Sequence, residues 1–308
     1  MKKIVFALLI MTLLLALYIK KEEVLSFVLK KARGDEVATL NYSNDYSRNY
    51  KYNYVSLTND FSAKDKTHLF NIYYTILNSG ISEFTFYCND TYKSCIEDVI
   101  YLADNQAIIS VLNGFVHPFN SFSSIETIYD TLGRVTLRIN KAYTNSEIIA
   151  INTKLNDIID NHIAPKENQI ELLREIHDYI INNSKYDIDK SDKNITKYKS
   201  SIAYGPLLEG YGICGGYTDS FAIILDRYNI QNMSVFSENH IWNALYIDGK
   251  WSHIDLTWDD PISDDGKDIL DYSYFLISSN ELLELEKIQH NFDQTIFTEL
   301  GAVGKLSN

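Results

Sequence analysis

The sequence predicts an α+β fold. A helix that opens on a cysteine packs on an antiparallel sheet carrying a histidine and an aspartate, and a small α/β unit precedes both. Three observations carry that expectation. Phe221, Ile224, Leu225 and Tyr228 recur at helical spacing directly behind the glycine-rich turn Gly212-Ile213-Cys214-Gly215-Gly216. Asp248-Gly249, set between two apolar runs, is among the strongest signals for a two-residue hairpin. His240 and Asp255 flank that turn at positions that an even-length loop places on one face.

At 308 residues the chain allows one large domain or two smaller ones, and its 45% hydrophobic content is enough for a sizeable core. The net charge of −13 argues against nucleic acid as a partner, because binding a duplex requires Lys and Arg to neutralise phosphates. The acidity is read as solubility. Of the three cysteines, Cys88 and Cys95 are close enough to pair if the chain is exported, the alternative being two separately buried thiols. Cys214 is then the unpaired one, as suits a reactive thiol.

The chain divides as follows. Residues 1–21 read as a targeting segment: Lys2 and Lys3 precede an apolar run from Ile4 to Ile19, closed by Lys20 and Lys21. As a helix the run is about 24 Å long, slightly short for a full span. No small-residue cleavage site follows, so an uncleaved signal anchor is expected, with a cleaved signal peptide as the alternative. Lysines and Arg33 after the run oppose export by the positive-inside rule. The short basic start ahead of an apolar run favours it, so the rest of the chain is expected outside the cytoplasm, membrane-anchored or secreted. Residues 22–54 read as a linker. Leu40 to Tyr54 alternates tyrosine with Asn, Ser, Asp and Lys and lacks aliphatic residues, which suggests a tether.

Residues 55–163 read as an N-terminal α/β domain. Leu69, Ile72, Tyr73, Ile76 and Leu77 keep helical spacing, and Gly80 sits where a C-cap belongs. Glu83 to Cys88 reads as a strand and Thr91 to Ala103 as a helix. Ser124 to Tyr129 and Arg134 to Lys141 form a hairpin pair. Thr144-Asn145-Ser146-Glu147 is a capping box opening a further helix. His68 and His117 stand alone and are read as core or surface histidines.

Residues 164–308 form the remaining domain. Asn168 to Asn183 is a helix whose apolar face includes His177, read as a buried structural histidine. Lys185 to Lys199 reads as a polar loop. Asp187, Asp189 and Ser191 resemble the start of a calcium loop, but Asp192 stands where glycine is needed and Tyr198 where glutamate is. No metal and no cofactor is expected, since the histidines show no close ligand pairing and no cysteine pair has zinc spacing.

The order Cys214, His240, Asp255 is that of a nucleophile, a base and an orienting carboxylate. A helix start favours the thiolate that thiol catalysis needs, and the glycines permit a tight turn and close substrate approach. With a two-residue loop Ile247 faces Lys250 and Trp242 faces Asp255. His240 and Asp255 become diagonal neighbours, about 7–8 Å apart at the backbone and within side-chain reach. His253 is the rival base. It lacks a diagonal carboxylate, so a structural role is expected. Trp242, Trp251 and Trp258 are read as core or cleft wall.

Gly212 to Tyr217, His240 to Asn243 and Asp248 to Pro261 together resemble the transglutaminase-like superfamily of papain-type fold. Ile176 to Ile180, Ala203 to Leu208 and Tyr274 to Ser278 are similar to its preceding helix, turn and closing strand. The resemblance covers roughly residues 168–278. It implies a Cys214, His240, Asp255 triad, with Cys214 opening the central helix, and acyl transfer on peptide or protein carboxamides by cross-linking or deamidation. The alternatives are a cysteine peptidase of surface or cell-wall peptides and a non-catalytic surface protein keeping the fold. The chain departs from the animal enzymes at Ile213-Cys214-Gly215, where they carry Gln-Cys-Trp. Leu208 stands where papain-type proteases place an oxyanion-donating glutamine. The Cys214 backbone N–H is therefore the first candidate for that donor, with the Tyr204 hydroxyl second and Trp242 as a possible cleft residue.

Overall fold

Two four-stranded sheets organise the chain. The computed structural model describes residues 38–301 except 42–43, 165 and 263–268, together with scattered positions between 11 and 31. The first sheet has the order β1-β2-β4-β3, from β1 (Ser62–Ala63), β2 (Glu83–Cys88), β3 (Phe122–Tyr129) and β4 (Arg134–Lys141). β1 runs parallel to β2 and the other pairs are antiparallel. Helix α1 (Lys66–Ser79) is capped by the Asp65 carboxylate at one end and by Gly80, at φ 77°, at the other. α2 (Cys95–Asp104) follows β2, and the Cys88–Cys95 disulfide joins the two, with Cα atoms 5.8 Å apart.

Two short strands, β5 (Lys185–Tyr186) and β6 (Tyr211–Gly212), pair in parallel. The second large sheet has the order β10-β9-β8-β7, from β7 (Asn232–Phe236), β8 (Ile241–Ile247), β9 (Lys250–Ile254) and β10 (Phe275–Ile277). Both of its faces are buried, and the side-chain period of two separates them. Trp242 and Ala244 join the core of the first sheet. Leu245 and Ile247 join a second core with α3 (Asn145–Asn161), α4 (Gln169–Asn182) and α5 (Cys214–Arg227). α3 starts with the expected capping box of Thr144 and Glu147. Phe221, Ile224 and Leu225 of α5 are fully buried, each worth roughly 1.5–3 kcal/mol. The fold is thus α+β, with a central helix packed against sheet.

Three expectations are corrected. Leu40 to Tyr54, read as a tether, is packed along its length from residue 44. Arg48 is buried and donates to Asp226 of α5 at 2.7 and 3.1 Å, to Asn232 at 2.9 Å and to the Val116 carbonyl at 2.9 Å. The Tyr50 hydroxyl donates to Asp226 at 2.9 Å and the Tyr52 hydroxyl to the Asn232 carbonyl at 2.8 Å. Counting aliphatic residues misses such a segment, because tyrosines bury rings while their hydroxyls find backbone partners. Residues 185–199 are not wholly a loop: Tyr186 pairs with Gly212, and Ile188–Lys193 forms a short helix capped by the Asp187 carboxylate. The signal anchor, and with it a membrane partner through the N-terminal segment, is also set aside. No helix among the described residues is long and apolar enough to cross a membrane. A span needs about 20 apolar residues, whereas the run from Ile4 to Ile19 has 16 and lies mostly outside the described residues.

Candidate active site

Cys214 is the first residue of α5, partly exposed, and the free cysteine of the chain. Ile213 precedes it in an extended conformation and supplies no side-chain cap. The first-turn N–H groups are thereby left for an anion at the thiol end of the helix. The glycines serve the backbone behind this turn. A Cβ on Gly216 would meet the Ser200 carbonyl oxygen at 2.2 Å, and one on Gly215 the Ser201 carbonyl oxygen at 2.8 Å. Close packing against residues 200–201 requires them, and none of Gly212, Gly215 and Gly216 has a left-handed φ.

The hairpin has the expected register. Asp248 and Gly249 form the turn at φ 50° and 77°, and Ile247 faces Lys250. This brings the His240 Nε2 to 2.5 Å from Asp255 Oδ2. The Thr218 hydroxyl, one turn after Cys214, donates to the Ile241 carbonyl at 3.0 Å and ties α5 to the strand beside His240. Burial alone would lower the His240 pKa. The Asp255 charge and hydrogen bond, then a hydrogen bond and charge interaction with Cys214, outweigh it and hold the imidazole up at about 10. Burial alone would raise Asp255, but His240 and then His290 keep it well below the usual carboxylate range. Both partners thus favour the charged pair. With Nε2 on Asp255, Nδ1 is the ring nitrogen of His240 that Asp255 does not occupy.

The remaining predicted residues fall in different places. His253 is buried and has both ring nitrogens bonded to other partners. The Trp242 indole N–H donates to its Nδ1 at 3.0 Å, so its Nε2 carries the proton and donates to the Ser279 hydroxyl at 2.9 Å, which donates to the Leu300 carbonyl at 2.8 Å. Burial pushes its pKa down to about 3, in keeping with a neutral ring. Trp242 is 1% exposed and stacked on His240, with ring centres 5.7 Å apart. Of the two readings, core or cleft wall, its place in the first core is the former. Tyr204 is partly buried ahead of the turn Gly205–Glu209, with the Lys199 ammonium 4.8 Å from its ring centre.

Two features escaped the sequence reading. His290 donates from Nε2 to Asp255 Oδ2 at 2.9 Å. Nothing around Ile288-Gln289-His290-Asn291 signals this, because the contact is long-range. His177 is buried as expected, but it lies between two carboxylates, Nδ1 2.9 Å from Asp178 and Nε2 3.1 Å from Asp259. A polar ring on an apolar helix face needs partners, which was the available signal. Ligand atoms of His240, Asp255 and His290 lie within 4.8 Å of one another, near enough to surround a cation. Two of the separations, 2.5 and 2.9 Å, are hydrogen-bond lengths. They are shorter than the about 3.3 Å between neighbouring ligands of a tetrahedral zinc. Hydrogen bonding therefore accounts for the cluster.

Residues 156–256 match the family model of the transglutaminase-like superfamily. No curated protein matches the chain. Among solved structures, one described as a "TGase" is similar at 15% identity and a TM-score of 0.33, over 44% of this chain and 44% of that one. A "Putative Cysteine Protease from Cytophaga hutchinsonii" is similar at 16% identity and a TM-score of 0.28, over 48% of this chain and 65% of that one. The chain thus spans less than two thirds of either.

Proposed function

We propose, from the match of residues 156–256 to the transglutaminase-like superfamily, that the chain is a thiol enzyme acting on peptide amide or carboxamide groups. The observation that supports the reading is the buried His240–Asp255 pair, at 2.5 Å, together with a free thiol that opens α5 and interacts with His240. Cys214 Sγ attacks the carbonyl carbon. The first-turn N–H groups of α5, led by that of Cys214, receive the oxyanion, with the Tyr204 hydroxyl as a second candidate donor. His240, protonated by the thiol, gives that proton to the departing amine or ammonia, leaving a thioester. Asp255 fixes the ring and stabilises its cationic form.

The acyl acceptor is proposed to be water. His240 is only 7% exposed, and a base so enclosed is reached more readily by water than by an amine on a second protein. The result is peptidase or deamidase chemistry. Transfer to an amine, giving a cross-link, is the second reading, favoured by the partial exposure of Cys214. An extracytoplasmic setting is proposed from the Cys88–Cys95 disulfide, since such bonds persist in oxidising compartments. Surface or cell-wall peptides are then the substrate class.

The test is incubation with a glutamine-containing protein, with and without a labelled primary amine, followed by mass spectrometry. Chain cleavage identifies a peptidase, conversion of Gln to Glu a deamidase, and a label adduct a transferase. A wild-type protein that yields no more product than C214A sinks the enzymatic reading and leaves a non-catalytic surface protein.

A further inference from the structure

The domain matched to the family ends at residue 256, yet the orienting carboxylate has a partner well beyond it. His290 is fully buried, and its ring lies edge-on to His240, with centres 5.2 Å apart at 88°. Its Nε2 is 2.9 Å from Asp255 Oδ2. Its Nδ1 is 3.2 Å from the Glu286 carbonyl oxygen, with the Glu286 carboxylate at 3.5 Å. Both nitrogens face acceptors. Tyr274 stacks on one side at 5.3 Å, Trp242 meets it at 4.8 Å and Trp258 at 5.7 Å. The segment is itself anchored: the Glu286 carboxylate caps the Ile288 and Gln289 N–H groups, and the Ser237 hydroxyl donates to the Gln289 carbonyl.

We infer that His290 is a positioning residue for the thiol site. It donates to Asp255 from the side opposite the backbone N–H groups and so fixes the carboxylate oxygen that His240 uses. The inference rests on the thiol reading above, and the experiment keeps the two apart. Cys214 alkylation by iodoacetamide is followed in the intact wild-type protein, in H290A and in H290Q, with thermal unfolding recorded for each. The wild-type thiol is expected to react faster than in the denatured chain. H290A is expected to slow it about tenfold, the lower end of what one hydrogen bond to a charged group contributes. H290Q restores a donor and is expected to recover most of the rate. A purely structural role would lower the melting temperature of both variants and leave the rate unchanged, which overturns the inference. A wild-type thiol no faster than the denatured one overturns the thiol reading and this role with it. If H290A does not fold, nitrogen-15 NMR of the wild-type histidines decides: a proton on His290 Nε2 is expected, and a bare Nε2 overturns the inference.

Discussion

Asp255 takes four hydrogen bonds on two oxygens. Oδ1 accepts from the N–H groups of Thr257 at 2.9 Å and Trp258 at 3.3 Å, and Oδ2 from His240 and His290. A carboxylate so held can orient an imidazole but has no proton to pass on. C214A should therefore abolish turnover, whereas D255A should leave residual activity, roughly 10²–10⁴ below wild type, in the peptide assay. H253A should lower the melting temperature while Cys214 alkylates at the wild-type rate, since among the described residues His253 bonds Trp242 and Ser279 and no residue of the thiol site. The histidines also set how stability varies with pH. Burial lowers His253 and His117 to about 3, so below about 6.5 the unfolded chain binds protons that the folded one refuses. Stability should fall as pH drops from about 6.5 towards 3. His240 is raised to about 10, so its contribution is complete below about 6.5 and is lost as pH rises towards 10. Urea midpoints across this range should peak near neutrality. A steady climb to pH 10 would contradict the His240 assignment.

The hairpin of β8 and β9 was the most legible element, because turn chemistry and side-chain parity are local properties of the chain. Two residues at Asp248-Gly249 fix which side chains share a face, and that placed His240 beside Asp255. The capping box of α3 and the start of α5 at Cys214 were legible for the same reason. Segments whose partners are distant were not. Residues 44–54 depend on Asp226 and Asn232, and His290 depends on Asp255. Turn geometry also yields a test. Gly249 has φ 77° with open space around it, so G249V should cost about 1–2 kcal/mol through the left-handed backbone alone. One residue inserted between Asp248 and Gly249 should do more harm to function than to folding. It would turn Asp255 to the other face, and Cys214 should then alkylate no faster than a denatured thiol.

Across the whole molecule, the two sheets are joined by buried polar contacts as well as by apolar packing. Arg48, ahead of the first sheet, pairs with Asp226 of α5, with side chains 3% and 11% exposed, and also donates to Asn232 of β7. R48M should lower stability by about 3–5 kcal/mol in denaturant titrations, because it removes one partner of a buried ion pair and leaves Asp226 without it. Reducing the Cys88–Cys95 disulfide, whose loop is short, should cost only about 2–3 kcal/mol and leave Cys214 alkylation unchanged. The position of His290 has a further consequence for the order of assembly. A nascent chain leaves the ribosome from its N-terminus, so Cys214, His240 and Asp255 all emerge before residue 290. The positioning contact is therefore the last to form, and the newborn thiol should stay quiet among the factors that escort it. Ribosome-stalled chains arrested with residue 290 still in the exit tunnel should alkylate slowly at Cys214, and released chains quickly. Equal rates would mean that the thiol is armed before its final restraint arrives.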